Sequence, residues 1–338
     1  QPTAAVTQEE PVGMRKRINT FGTPEEDARM RDFTINGLFY DIRTFSVIDH
    51  VGGQKDLDKG LIRCIGDPRV RFPEDPVRMV RAVRFASRMN FTIEKKTYRG
   101  IVRYHREIAN AAPSRLLEEI YRLFGFGTGR EAFRLLAETK LLRVMLPAVD
   151  AYVSSARAGD LSLWDCLEAF DRQELDGAVP REAAILGTLF YPLFDARLRQ
   201  REGKQLNGSR QQAARDILAE GTRHLQAPRR ILDRLVRAFD AQRRFETTAR
   251  RFSRRRFVMQ ETFPDALLLR EIVLRARGED IGSLVAWREL RKECLGQHVA
   301  ADKSSRVSGV AAGVEGERAP RRRSRYRRRR KPVSADQS

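Results

Sequence analysis

The sequence predicts an α+β fold: the C-terminal remnant of a mixed α/β domain, then an all-α neck and body, then a disordered arginine-rich tail. Three observations predict it. Alternating β-branched residues are confined to the stretch before Gly66. Apolar residues recur at helical spacing almost everywhere from Glu74 to Glu293, and beyond His298 Ser, Ala, Gly and Arg dominate with no apolar period. The chain has 338 residues, enough for several domains. The divisions that follow are 1–60, 61–125, 126–298 and 299–338.

Taken in order, Gln1–Phe21 reads as a loop, with Pro2, Pro11, Gly13 and a basic Arg15-Lys-Arg17. Thr23-Pro-Glu-Glu-Asp27 opens a helix, with Thr23 as cap and acids at the positive end of the helix dipole. That helix is expected to run through Arg31 towards Phe39. Asp41–Asp49 alternates like one or two strands with a turn near Arg43–Thr44. Gly52-Gly53 breaks the chain, Gln54–Lys59 reads as a turn or short helix, and Ile62–Ile65 as a strand closed by Gly66-Asp67-Pro68. So few strands do not make a stable sheet layer unaided.

The remainder reads as helices over 76–89, 94–110, 114–124, 129–139, 161–170, 181–193, 210–224, 229–245, 265–277 and 281–293. Ser114, with Glu118 and Glu119 following, stands near capping-box spacing. The stretches 151–161 and 199–209 are polar interruptions suited to joints.

The helix over 76–89 carries the chemistry. Asp75 stands where an N-cap is expected and Pro76 at the first helical position. Successive residues turn about 100°, so Arg78, Arg81, Arg84 and Arg88 fall within about 120° of one another, with Met79, Val80, Ala82, Val83 and Ala86 on the other side. Four arginines alone would suit a solvated face. Val77 and Phe85, however, share the arginine side, and Asp75 and Arg78 are one turn apart. A carboxylate beside a guanidinium can read a base edge: it accepts from the exocyclic amine of adenine or cytosine while the arginine donates to the neighbouring ring nitrogen. Guanine and uracil present a carbonyl there and leave buried groups unpaired. Arg81 and Arg84 are then placed for triphosphate oxygens.

The formal charge of +20 and pI near 10.6 point to a polyanionic partner, most simply nucleic acid. Half of that charge lies between Arg318 and Lys331, ten basic residues with no acid. Cys64, Cys166 and Cys294 are far apart, and the four histidines are scattered, so neither a zinc site, a disulfide framework nor a His-Asp phosphohydrolase motif is suggested. No apolar run approaches the ~20 residues of a membrane span, and no signal pattern opens the chain. A reducing cytoplasm and no membrane partner are the expectation.

Three motifs carry a family resemblance. Glu74-Asp-Pro-Val-Arg78 followed by Arg81-Ala-Val-Arg84-Phe-Ala86 resembles the nucleotide-selecting motif of the class II tRNA nucleotidyltransferase and bacterial poly(A) polymerase family. Met30-Arg-Asp-Phe-Thr-Ile-Asn-Gly37 resembles its Arg-Arg-Asp-Phe-Thr-Ile-Asn motif, with Met30 replacing the first arginine, and Val51-Gly-Gly-Gln-Lys-Asp-Leu57 its Gly-Gly turn. More weakly, Leu189–Leu193, Ala227–Arg230 and Leu284–Trp287 resemble the body of the poly(A) polymerase branch. The resemblance implies a nucleotidyltransferase-type head over 1–60, ATP as substrate, Mg2+ as cofactor and RNA 3′ ends as acceptor. It also implies Asp32 as a catalytic residue facing the ribose or metal, and Arg31 beside it at the nucleotide. The C-then-A chemistry of tRNA CCA addition stays open, because both bases carry the amine.

The family's metal-binding Asp-x-Asp, on a strand after a Gly-Gly/Ser-x-Val-Arg-Asp loop, is not found. The expectation is that these motifs belong upstream of residue 1, and that this chain alone holds nucleotide and RNA without catalysing, unless a separate polypeptide supplies the missing head.

Two further segments are candidate RNA contacts. Arg250-Arg-Phe-Ser-Arg-Arg-Arg-Phe257 interleaves Arg250, Arg251, Arg254, Arg255 and Arg256 with two phenylalanines, which suits phosphate contact and base stacking, or equally a helix end with core phenylalanines. Arg321, Arg322, Arg323, Arg325, Arg327, Arg328, Arg329, Arg330 and Lys331 can neutralise phosphates without reading sequence. A non-catalytic RNA-binding protein is the alternative from another class.

Overall fold

The computed structural model describes residues 22–173, 182–200, 210–247 and 252–311, with side chains as far as residue 297. Helix α1 (Pro24–Met30) starts as expected: the Thr23 hydroxyl accepts from the Glu26 amide, and the Thr23 amide donates to the Glu26 carboxylate. It ends at Met30 instead of continuing towards Phe39. Its last turn gives way because Asp32 is drawn into the interior and Phe33 pairs with Cys64 as a bridge, Thr34 N donating to Arg63 O. A single 3-10 turn (Thr34–Asn36) follows.

The expected strands form an antiparallel hairpin, β1 (Leu38–Asp41) and β2 (Ser46–Asp49), with Tyr40 opposite Val47. Beyond it the Gly-Gly turn leads into α2 (Gly53–Asp58). Asp49 organises this corner: its carboxylate accepts from the amides of Val51, Gly52, Gly53 and Gln54 at 2.8–3.0 Å. Gly52 sits at φ +79°, where a side chain is strained, and a Cβ on Gly53 would lie 2.2 Å from the Thr34 carbonyl oxygen. Two adjacent glycines thus serve two different needs.

β3 (Leu61–Ile62) leads to a helix the periodicity misses, α3 (Pro68–Glu74), capped by Asp67. Pro68 occupies its first turn, where the missing N–H costs nothing. Asp75 closes α3, so it is not the N-cap of the next helix. That helix, α4 (Val77–Met89), begins after Pro76 with no side-chain cap.

Met79, Val80, Ala82, Val83 and Ala86 are buried as their spacing requires. Val77, on the arginine side of the wheel, is buried too, because α3 packs across the first turn of α4. Asn90 ends α4 in the left-handed conformation, and β4 (Thr92–Ile93) pairs parallel with β3.

The rest is helical. α5 (Lys95–Tyr104) passes into a 3-10 segment to Asn110; α6 (Pro113–Leu123) is started by Ala112 and Pro113, so Ser114 is no cap. α7 (Gly129–Glu138) is followed by two helices that the sequence reading does not include, α8 (Leu141–Met145) and α9 (Pro147–Ser155), the second running into the expected joint at 151–161. Then come α10 (Leu163–Asp171), α11 (Glu182–Arg199), α12 (Arg210–Gly221), α13 (Arg229–Ala241), α14 (Arg254–Val258), α15 (Phe263–Ala276) and α16 (Ser283–Ala311). One apolar core runs from Phe33 through α4–α8 into α11, α13 and α15. A second, aromatic cluster gathers Phe257, Phe263 and Trp287.

No helix among the described residues is long and apolar enough to cross a membrane. Cys64, Cys166 and Cys294 are free and buried. The expected disordered tail from 299 is corrected at its start: α16 continues without a break through residues 299–311, past the helix expected over 281–293. The sequence-based readings of residues 1–21 and of the tail beyond 311 lie outside the described residues.

Burial alone would raise the Asp49 pKa, but the four backbone donors outweigh it and hold the carboxyl below its ordinary 3.8. The stabilisation is present above that value and lost as pH falls through the folded-state pKa. Asp49→Ala is therefore expected to cost about 2 kcal/mol in urea unfolding near pH 7, with the gap to wild type closing as pH drops below 3.8.

Candidate nucleotide-binding site

The start of α4, the turn after α1 and the first turns of α6 enclose a cleft of about 530 Å³. Arg31, Asp32, Asn36, Asp75, Arg78, Arg81, Phe85 and Arg115 line it. Four of the five proposed nucleotide contacts and the proposed catalytic aspartate thus share one cavity, drawn from three separate segments of the chain; Arg84 is the exception.

Each charged group has a defined partner. Asp32, 7% exposed, accepts from Arg81 Nε at 2.5 Å, from Asn36 Nδ2 at 2.9 Å and from the Phe33 amide at 3.0 Å. Arg31 pairs with Asp27 at 2.9 Å, donates to the Asn36 carbonyl at 2.7 Å, and lies over the Phe39 ring.

Asp75 and Arg78 do not pair with each other. Asp75 is gripped by both terminal nitrogens of Arg115 at 2.9 and 3.0 Å, a bidentate arrangement that holds the carboxylate plane. Burial pushes its pKa up, but the Arg115 hydrogen bond and charge, with help from Arg78, bring it below the ordinary value. Arg78 turns to the Arg71 carbonyl at 3.3 Å and the Met30 carbonyl at 3.5 Å, with Glu74 at 3.8 Å. Burial, then repulsion from Arg71, lowers its pKa. The two groups still border one cavity, each with bonding capacity left over.

Arg84 is not in the cleft. Its Nε donates to Glu119 at 2.8 Å, and its guanidinium lies 4.5 Å from the Phe85 ring centre. Glu119, 4% exposed, also meets Arg122 at 3.3 Å and Arg81 at 4.0 Å. The triphosphate role read from the wheel is thereby corrected: rotation places Arg84 with Arg81, but α6 brings a buried acid against it.

Arg115 and Glu119 were both missed. Their only sequence signal was a basic and an acidic residue one turn apart on a helix remote from α4.

The Arg250–Phe257 segment divides differently from its RNA reading. Phe252 and Phe257 pack in the aromatic cluster with Phe245 and Trp287, so they are not stacking platforms. Arg254 covers Trp287, Arg255 pairs with Glu293 at 2.7 Å, and Arg256 is exposed. Arg250, Arg251 and the arginines from 321 onward lie outside the described residues.

The cleft does not fit a magnesium ion. Its two carboxylates are each taken up by an arginine, and no group of three or more His, Cys, Asp or Glu suited to a metal occurs among the described residues. The triplet Asp56-Leu-Asp58 lies on α2, with Asp56 buried against Thr34 and Arg63 at 2.8 Å.

Residues 2–63 match the family described as poly A polymerase head domain, and residues 90–153 the one described as probable RNA and SrmB-binding site of polymerase A. Poly(A) polymerase I of Escherichia coli O6:H1 is 33% identical over 329 residues, 95% of this chain and 68% of the relative. The chain belongs to the poly(A) polymerase and tRNA nucleotidyltransferase family.

A second branch of that family is represented by the CCA-adding enzyme of Lactobacillus helveticus, 40% identical over 118 residues, 35% of this chain and 29% of that protein. Among solved structures, the Bacillus stearothermophilus CCA-adding enzyme in complex with CTP shares the fold, with TM-score 0.55 and 24% identity. That match covers 81% of this chain and 60% of the other, so the chain spans less than two thirds of the solved enzyme's length.

The Arg84–Glu119 pair makes a separable prediction. Glu119→Gln keeps an acceptor for Arg84 but removes the counter-charge of a nearly buried guanidinium, and is expected to cost about 3 kcal/mol in urea unfolding. Arg84→Met combined with Glu119→Leu is expected to cost less than the sum of the single changes.

Proposed function

We propose that this chain binds ATP in the Asp75–Arg78–Arg115 cleft and takes part in template-independent addition of AMP to RNA 3′ ends. The observation that carries the reading is the identity to poly(A) polymerase I across 95% of the chain, combined with a cleft that brings together the residues of two separate family motifs. Asp75 accepts from the amine of the incoming base, its plane fixed by Arg115, while Arg78 donates to the adjacent ring nitrogen. Arg31 and Arg81 face the triphosphate, and Asp32 accepts from a ribose hydroxyl on lone pairs that Arg81 leaves free.

The metal-binding carboxylates of the transfer step come from outside the described residues, from a segment joined to this chain or from a separate polypeptide. We assign 1–60 to the head, 61–125 to the neck, 126–298 to the body and 299–338 to the tail. The exposed Arg256, with Arg250, Arg251 and the basic run from Arg321 to Lys331, adds salt-sensitive phosphate contacts, and Arg254 and Arg255 are weaker contributors because each already has a partner. The cytoplasm is the proposed site of action, on the three unpaired cysteines.

A second reading is favoured by the fold likeness to a CCA-adding enzyme holding CTP: C-then-A addition to tRNA. Asp75 and Arg78 admit either amine-bearing base.

Calorimetry separates these. ATP is expected to bind with or without magnesium, and Asp75→Ala or Arg78→Ala to abolish binding. Arg115→Met is expected to weaken binding about tenfold while costing under about 1 kcal/mol of stability, since its pair is partly exposed. Equal affinity for CTP favours the C-then-A reading. ATP affinity unchanged in Asp75→Ala overturns the site, and RNA binding without any nucleotide binding favours the non-catalytic RNA-binding alternative.

A further inference from the structure

Arg88 stands apart from the other arginines on its stripe. Arg78, Arg81 and Arg84 each lie within 4.0 Å of a carboxylate. Arg88 is exposed and, among the described residues, meets no acid; its guanidinium instead lies flat over the Phe126 ring, 3.6 Å from the centroid. Phe126 is itself anomalous. It is 71% exposed, belongs to neither apolar core, and holds φ +68° and ψ +20° between two glycines. A bulky residue at positive φ is a steric outlier, and a third glycine would satisfy the Gly125-Phe-Gly127 turn without strain. Burial of the ring does not explain its presence, because most of the ring is in water. The loop around it is open: a Cβ on Gly125 would meet nothing within 4 Å.

We propose that the Arg88–Phe126 stack is a seat for a nucleobase of single-stranded RNA whose 3′ end runs along α4 to the nucleotide cleft. The inference rests on the RNA-extending reading above and adds a base contact to it. One ring face is covered by Arg88, which leaves the opposite face and the edge for a base. A ring backed by an unneutralised guanidinium offers stacking and an attraction for the adjoining phosphate together. Stacking of this kind is indifferent to base identity, as a template-independent enzyme acting on varied RNA ends requires. The position is apt as well. Ten residues separate Arg88 from Arg78, about 15 Å along the helix axis, a distance that a few nucleotides of single strand cover.

The test uses the whole chain and a short oligoadenylate in which one fluorescent aminopurine is walked along the strand. Phe126→Gly removes the ring while relieving the left-handed backbone, so loss of fold does not confuse the result. RNA affinity is expected to fall about 5- to 150-fold, the range for loss of one base–aromatic stack. Quenching at one strand position is expected to disappear, with ATP affinity unchanged, and Phe126→Trp is expected to restore both affinity and quench. If the Phe126→Gly variant binds RNA and quenches as wild type does, the seat is overturned and the ring is left to a protein partner, while the RNA reading stands. If the wild-type chain does not bind oligoadenylate at all, the RNA reading falls and the seat with it.

Discussion

The 2.5 Å contact between Arg81 and Asp32 is the constraint on which the site depends. Asp32 lies just after α1, in a segment that reaches the core through Phe33, and Arg81 stands one turn into α4. A nearly buried carboxylate must have a partner. By meeting that need, Arg81 ties the N-terminal segment to the helix that carries Arg78, and the cleft is the space between them. Asn36 and the Phe33 amide both donate to the other carboxylate oxygen, so the group is held in one orientation with a lone pair still open beside Arg81.

The same logic is repeated along α4. Its apolar side is anchored in the core, which fixes rotation, and each arginine on the other side is then met by a group from a different part of the chain. Arg78 is met by carbonyls of α1 and α3, Arg81 by Asp32, Arg84 by Glu119 of α6, and Arg88 by Phe126. A uniform stripe in the primary structure becomes four distinct environments. Positive charge that would repel itself in isolation is distributed among a cleft, a buried network and an open stack.

Asp75 shows how function and architecture share one residue. It terminates α3 and presents its carboxylate to Arg115, forty residues away. Held by two parallel bonds, the carboxylate keeps a fixed plane, and recognition of a planar base edge needs an acceptor that does not rotate.

What the sequence determined by itself is what depends on neighbours within a few residues. The apolar side of α4, the Thr23 capping box, the hairpin and the break at Gly52 follow from helical rotation, side-chain alternation and local backbone sterics, and they are legible without a fold, whereas the need for glycine at 53 comes from the distant Thr34 carbonyl. The motifs also identified Asp32, Asp75 and Arg78 as belonging together. What only the tertiary structure decided is which charge meets which. Arg115 and Glu119 are unremarkable in the sequence, α3 is a single short helix that the apolar spacing does not mark, and the phenylalanines of the Arg250–Phe257 segment could equally have faced RNA. Ion pairing and aromatic packing at long range depend on how helices approach, and periodicity carries no information about the approach. Hence Arg81 and Arg84, equivalent on the helical wheel, ended in a cleft and in a buried network.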